Sequence, residues 1–259
     1  MKVVVLASGS RGNATYIETE NMRLLIDAGI SLIEIKRRLA SQGITYKQID
    51  AIWITHEHTD HTNYLKTILN QTKATVYINN QTYQAIYERL RPEPTVHKIR
   101  FIEAEKKYQL GDITIVPINL SHDAINPFGF LFKNGNASLA YLTDTGYLKP
   151  EYLPILQKMQ TIIIESNHDV ELLLASSRTW PLKKRIMSNV GHLSNETCRD
   201  ILSQIVSEYT QYVILAHISS ECNRYDLAYD VTLPVLNSSV QLLVAKQDEA
   251  TIPIQMEAA

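Results

Sequence analysis

The chain has 259 residues, 45% of them hydrophobic and 20% charged, with a net charge of -2 and a pI near 6.4. That is ample apolar material for a sizeable core, and the charge balance leaves any anionic partner to be met by a local patch. Two cysteines, Cys198 and Cys222, make no disulfide framework, the N-terminal apolar run is too short for a signal peptide, and no run reaches the roughly 18 apolar residues that cross a bilayer, so a cytoplasmic location is expected. In chain order, β-branched and apolar runs predict strands at 2–7, 14–19 and 23–29, and helical periodicity follows at 30–43. A strand at 51–56 precedes a helix at 63–71, and a strand at 75–79 precedes a helix at 82–90. Strands are then expected at 113–120, 129–134 and 137–144, a helix at 153–160 and a strand at 161–166. A helix at 195–209, with Ser194 and Asn195 as cap candidates, leads to strands at 212–217 and 240–245. No linker or low-complexity tract divides the chain, so residues 1–259 are expected to form one domain. A strand meander followed by βα units occurs twice, which suggests two sheets face to face with helices outside. Gly9, Gly12, Gly29, Gly146 and Gly191 lie near polar clusters at strand ends, whereas Gly43, Gly111, Gly129 and Gly135 read as ordinary turn glycines.

The densest chemistry is THEHTDH at 55–61, three histidines and two carboxylates directly after the apolar run IDAIWI. In an extended segment alternate residues share a face, so His56 and His58 can converge on one ion. A turn just after His58 would swing Asp60 and His61 round to serve a second.

The pattern H-x-H-x-D-H formed by His56, His58, Asp60 and His61 resembles the signature of the metallo-β-lactamase fold superfamily. The resemblance continues through LLIDAG (Asp27), NLSHDA (His122), YLTDTG (Asp144) and VILAHIS (His217), each ending an apolar run. It implies an α/β fold, a four-layer αββα sandwich of two mixed β-sheets, with two divalent metal ions. His56, His58 and His122 would hold the first ion, Asp60, His61 and His217 the second, with Asp144 between them and Asp27 behind, fixing a ligand imidazole. LASGSRGNATYI, ESNHD, LKKRIMSNVGHLSN and LAHISSECN are similar to the YycJ (VicX, WalJ) group of bacterial proteins, described as DNA exonucleases. The same resemblance implies attack on duplex DNA from the 5' end. His192, in GHLSN, is similar to a histidine that approaches the scissile phosphate in tRNA 3'-processing ribonucleases. His97 reads as a surface residue, and His168, in ESNHD, either as a solvated strand end or as a contact to substrate.

Two cations roughly 3.5–4 Å apart activate a shared water and clamp the oxygens of an in-line displacement. On this scheme Asp60 orients the bridging hydroxide and takes its proton, and His192 stabilises the phosphoryl oxygens or protonates the leaving 3'-oxygen. A histidine and carboxylate set suits manganese or zinc, with iron also compatible. Arg178, Lys183, Lys184 and Arg185, uninterrupted by an acidic residue and leading into His192, form a stripe for backbone phosphates, with Lys183 and Arg185 as the expected contacts. Ser8, Ser10 and Asn13, on the glycine-containing turn SGSRGN, are further candidates for phosphate binding. The 73 residues from Asp144 to His217 leave no room for a large cap domain. A tRNA-processing type of ribonuclease, a thioester hydrolase of the glyoxalase II type and a regulatory module without catalysis are the competing readings. The polar tail at 246–259 argues against the second, and the complete ligand set gives the third no support.

Overall fold

In the computed structural model, which describes residues 1–91 and 98–257, the apolar runs pair into two seven-stranded sheets. The first has the order β14 (Ile254–Gln255), β1 (Lys2–Ala7), β2 (Ala14–Glu18), β3 (Arg23–Ile26), β4 (Ala51–Trp53), β5 (Thr75–Asn79) and β6 (Ile99–Ile102). The second has the order β13 (Gln241–Val244), β12 (Tyr212–Ala216), β11 (Thr161–Glu165), β10 (Ala137–Leu142), β9 (Phe128–Asn134), β8 (Ile113–Asn119) and β7 (Tyr108–Leu110). β1 to β3 form an antiparallel meander, and β3 to β6 are parallel. The second sheet repeats this plan, antiparallel from β7 to β10 and parallel from β10 to β13.

Alternate side chains of each strand divide between two apolar layers. Val3, Val5 and Trp53 from one sheet meet Phe130, Phe132 and Ile163 from the other. The opposite faces, Val4 and Leu6 for example, pack beneath α1 (Leu32–Ser41), α3 (Leu65–Gln71) and α4 (Asn80–Leu90). Ile162 and Ile164 likewise lie among the buried residues of α8 (Asn195–Ile205) and Ala228 of α9 (Tyr225–Thr232). Covered on both faces, these strands read as continuous apolar runs rather than alternating ones. The result is the four-layer αββα sandwich of two mixed sheets.

β8 is antiparallel to β9 and β9 to β10, so β8 points the same way as β10, β11 and β12. The C-terminal ends of these four strands therefore share one edge of the second sheet. Parallel pairing does the same for β3 and β4 in the first. Residues that follow those ends are brought together there.

The structure departs from the sequence expectations in identifiable places. The ladder of β4 stops at Trp53, three residues before His56, so the histidine cluster sits on a loop that leads into the one-turn helix α2 (Thr59–Thr62). The edge strands β6 and β7 and the short helices α6 (Val170–Ala175) and α7 (Trp180–Ile186) are elements not expected from the sequence, and α5 (Leu153–Leu156) is shorter than the helix expected at 153–160. The tail read as polar contains β14, which pairs with β1 and buries Ile254 and Met256 between the sheets. Gly129 is no turn glycine: it lies within β9, where a Cβ would meet the Tyr141 carbonyl oxygen at 2.8 Å. His168 is 1% exposed rather than solvated, and His97 lies outside the described residues. Among the described residues no helix is long and apolar enough to cross a membrane.

Candidate metal centre

Every strand end at the shared edge delivers an ionisable side chain. Asp27 follows β3, His56, His58, Asp60 and His61 follow β4, and His122, Asp144 and His217 follow β8, β10 and β12. Asp27, Asp144 and His217 have φ of 62°, 60° and 52°, so three strand exits are held in the left-handed region. Asp, Asn and His tolerate that region better than other residues with a side chain, and the bend aims each side chain across the sheet edge instead of along it. Gly29 is required by close approach: a Cβ there would lie 1.8 Å from the carbonyl oxygen of Asp60.

The side chains converge in overlapping groups. His56, His58 and His122 offer ligand atoms within 4.8 Å of one another, and so do Asp60, His61 and His217. Asp144 lies between them, with Oδ2 3.3 Å from His61 Nε2, and Oδ1 3.3 Å from His217 Nε2 and 3.9 Å from His122 Nε2. The buried His56 Nε2, His122 Nε2 and Asp144 Oδ2 have no hydrogen-bond partner. Leaving such groups unsatisfied costs roughly 1–3 kcal/mol each, so their convergence fits a cation that they could share. The donor set of imidazole and carboxylate is suited to zinc, manganese or iron.

A layer behind these atoms orients them. His61 Nδ1 lies 2.7 Å from Asp27 Oδ2, while Asp27 Oδ1 accepts the Thr55 N–H at 2.9 Å. His122 Nδ1 donates to the Gly191 carbonyl at 3.0 Å, and His217 Nδ1 lies 2.9 Å from Glu165 Oε1. These acceptors place the proton on Nδ1 and leave each Nε2 lone pair turned inward. Burial opposes ionisation of Asp144, but positive charge on His217 and His61, when these rings are protonated, outweighs it and holds its carboxyl well below the usual range. Asp60 is lowered in the same way against burial, by His61 and by hydrogen bonding with His217.

Glu165 was not anticipated from the sequence as a site residue. The last residue of β11, it is fully buried and contacts both His217 Nδ1 and, at 2.6 Å, His192 Nδ1. Its other oxygen accepts from the backbone N–H of Thr145 at 3.0 Å and of Leu193 at 3.3 Å. Burial would raise its pKa, yet the two histidines hold it at about 2. For His192, burial lowers the pKa, and the charge and hydrogen bond of Glu165 reverse the direction upward. His192 rests beside the His122 and His217 rings, with centroids 4.9 and 5.3 Å away, and its side chain is 21% exposed. The signal for Glu165 was present: TIIIE ends in a carboxylate just as LLID and YLTD do.

The residues expected to meet substrate divide. Ser8 is buried and its hydroxyl accepts the His217 N–H at 2.7 Å, while Asn13 is buried with Nδ2 3.1 Å from both Asp60 Oδ2 and the Gly9 carbonyl. Lys183 turns its ammonium onto the carbonyls of Leu174 and Ser176 at 2.6 and 2.8 Å, closing the C-terminal end of α6. The polar ends of Ser8, Asn13 and Lys183 thus engage the protein's own frame. Ser10 and Arg185 do line an open recess beside His192. The stripe is also less cationic than its sequence: Arg178 pairs with Glu221 at 2.9 Å and Arg185 with Asp123.

Residues 22–218 match the family model described as the beta-lactamase superfamily domain. The chain is 35% identical to the exodeoxyribonuclease YycJ of Bacillus anthracis over 224 residues, covering 86% of this chain and 84% of that one. It is 37% identical over 229 residues to the exodeoxyribonuclease WalJ of Streptococcus pneumoniae serotype 2, covering 88% and 85%. Among solved structures, the metallo-beta-lactamase fold protein YhfI of Bacillus subtilis superposes with a TM-score of 0.71 at 15% identity, covering 96% of this chain and 98% of that one. The short form of human tRNase Z does so with a TM-score of 0.66 at 16% identity, covering 98% and 100%. At such identities the two structures are similar in fold alone. The chain belongs to the metallo-β-lactamase superfamily, within its YycJ/WalJ group, and is a metal-dependent hydrolase.

Proposed function

We propose that this chain is a cytoplasmic exonuclease that hydrolyses phosphodiester bonds of duplex DNA from the 5' end, using two divalent cations, manganese or zinc. The observation that carries the reading is the convergence of two ligand sets on Asp144, next to the Glu165–His192 pair. His56, His58 and His122 would hold one cation and Asp60, His61 and His217 the other, with Asp144 reaching both. Two such cations supply an activated water at neutral pH and neutralise charge on the phosphodiester. The names of the relatives from Bacillus anthracis and Streptococcus pneumoniae support DNA as the substrate.

The protein's own groups then divide the remaining work. Asp60, tethered by Asn13, presents Oδ2 toward His61 and His217 and is placed to orient the attacking water and accept its proton. Glu165 holds Nδ1 of His192, so Nε2 is the atom left to meet substrate, where it can protonate the leaving 3'-oxygen. Ser8 and Asn13 act by position: one holds the backbone of His217, the other the carboxylate of Asp60.

Substituting Asp144→Asn tests the assignment. Loss of bound metal by elemental analysis and a fall in DNA hydrolysis of at least about 100-fold are expected. A variant with wild-type metal content and rate would overturn it.

A further inference from the structure

A recess of about 200 Å³ opens beside His192 and His217 and runs away from the ligand cluster toward α6 and α7. Leu173, Ile186 and Cys222, a small apolar cluster separate from the main core layers, close one side of it. Its polar lining comes from segments distant in sequence, and besides Asn167, His192 and His217 it includes the carboxylate of Asp123, which pairs with Arg185. Ser10 comes from the turn after β1, His168 from the segment after β11, Arg178 and Arg185 flank and belong to α7, and Ser219 follows His217. His168 is the informative member. It is 1% exposed, and its ring nitrogen Nδ1 has no hydrogen-bond partner. None of the metal-binding or proton-transfer roles assigned above uses it. An unpaired polar atom so deeply buried is costly, which points to a ligand that completes it.

We infer that this recess binds the terminal phosphomonoester of a nucleic-acid chain, so that the enzyme recognises an end before it cuts; this rests on the nuclease reading above. The two guanidiniums supply donors, their charge being met by Glu221 and by Asp123, which itself lines the recess. Arg178 and Arg185 each meet a carboxylate, Glu221 and Asp123, through Nε and Nη2. A guanidinium has five N–H donors, and those on the opposite edge remain for phosphate oxygens. The Ser10 and Ser219 hydroxyls and the His168 ring add neutral donors. Size supports the same ligand. At about 200 Å³ the recess is below the roughly 300–1,000 Å³ of pockets that enclose drug-sized molecules, so it suits a phosphate with its sugar and not a continuing strand. A strand that ends there would place its next phosphodiester toward His192, which also lines the recess. Exonucleolytic cutting would then follow from the blocked path and not from any cap over the site.

The test is internal competition between differently labelled duplexes in one reaction, carrying a 5'-phosphate, a 3'-phosphate or hydroxyls at both ends, with manganese present. One phosphorylated end should be consumed roughly tenfold faster than the hydroxyl end, and Arg178→Ala should bring that ratio toward one. Because the ratio is taken within one tube, the fraction of active enzyme cancels. Ratios of one for the wild-type protein overturn the recess as an end-binding site while leaving the nuclease reading intact. If no duplex is cut, the nuclease reading fails, and equilibrium binding of the same phosphorylated and hydroxyl oligonucleotides decides the recess. A preference for the phosphorylated strand that Arg178→Ala abolishes supports it, and equal binding by the wild-type protein overturns it.

Discussion

Glu165 shows what a single buried carboxylate does at this edge. It fixes two imidazoles at once, accepting from His192 at 2.6 Å and from His217 at 2.9 Å, so it sets the orientation of one proposed metal ligand and the proton affinity of one proposed acid. Replacing it with glutamine keeps the shape but removes the charge that outweighs burial at His192. The His192 pKa is raised in the native site, so the ring stays protonated to higher pH than a free histidine. In Glu165→Gln that support is gone, the pKa falls, and the proton is lost at lower pH. The expected outcome is a drop in kcat of about 100-fold or more and an alkaline limb of the pH profile displaced to lower pH, measured by steady-state hydrolysis across pH. An unshifted alkaline limb would show that the ring is not the proton donor.

At the scale of elements, α7 illustrates why charge in a sequence is not charge on a surface. Lys183, Lys184 and Arg185 are consecutive, yet the helix turns Lys183 inward to the last carbonyls of α6, while Arg185 remains over the recess. Lys183→Met preserves the aliphatic stem and deletes two charged hydrogen bonds. It is expected to cost about 2 kcal/mol, a fall in Tm of about 4–8 °C for a chain of this size, with the salt dependence of DNA binding unchanged. Arg185→Ala should do the reverse, weakening DNA binding and flattening its salt dependence with little change in Tm. A loss of DNA affinity in Lys183→Met with unchanged Tm would return that lysine to the substrate. The strands were more legible than α7, because runs such as TIIIE and YVILA are covered on both faces and their apolar content is continuous. Edge strands β6 and β7, half-exposed, give no such run, and β14 is only two residues long.

At the scale of the whole molecule, the repeated meander and βα units were readable as two packed sheets, and the parallel pairing explains why residues as distant as Asp27 and His217 meet at one edge. The residues with metal-ligand chemistry were legible because each follows an apolar strand run. In the recess, Ser10, His168 and Arg178 were legible singly as candidate substrate contacts, but their assembly with Ser219 was not, since they come from separate loops and only the tertiary fold brings them together. The same limit hid the acidic partners Asp123 and Glu221, which pair with the two arginines of a stripe that looked purely basic in its own segment. With a net charge of -2, the chain has no global attraction for an anionic partner, so the proposed association with DNA rests on local charge at this edge. The measurement that tests the central claim most directly is a manganese-supplemented time course on linear duplex DNA labelled at either end, with an EDTA control. A metal-dependent 5' exonuclease gives progressive loss of label from the 5' end, abolished by EDTA. Intact DNA in the presence of protein shown to carry its metals would contradict it.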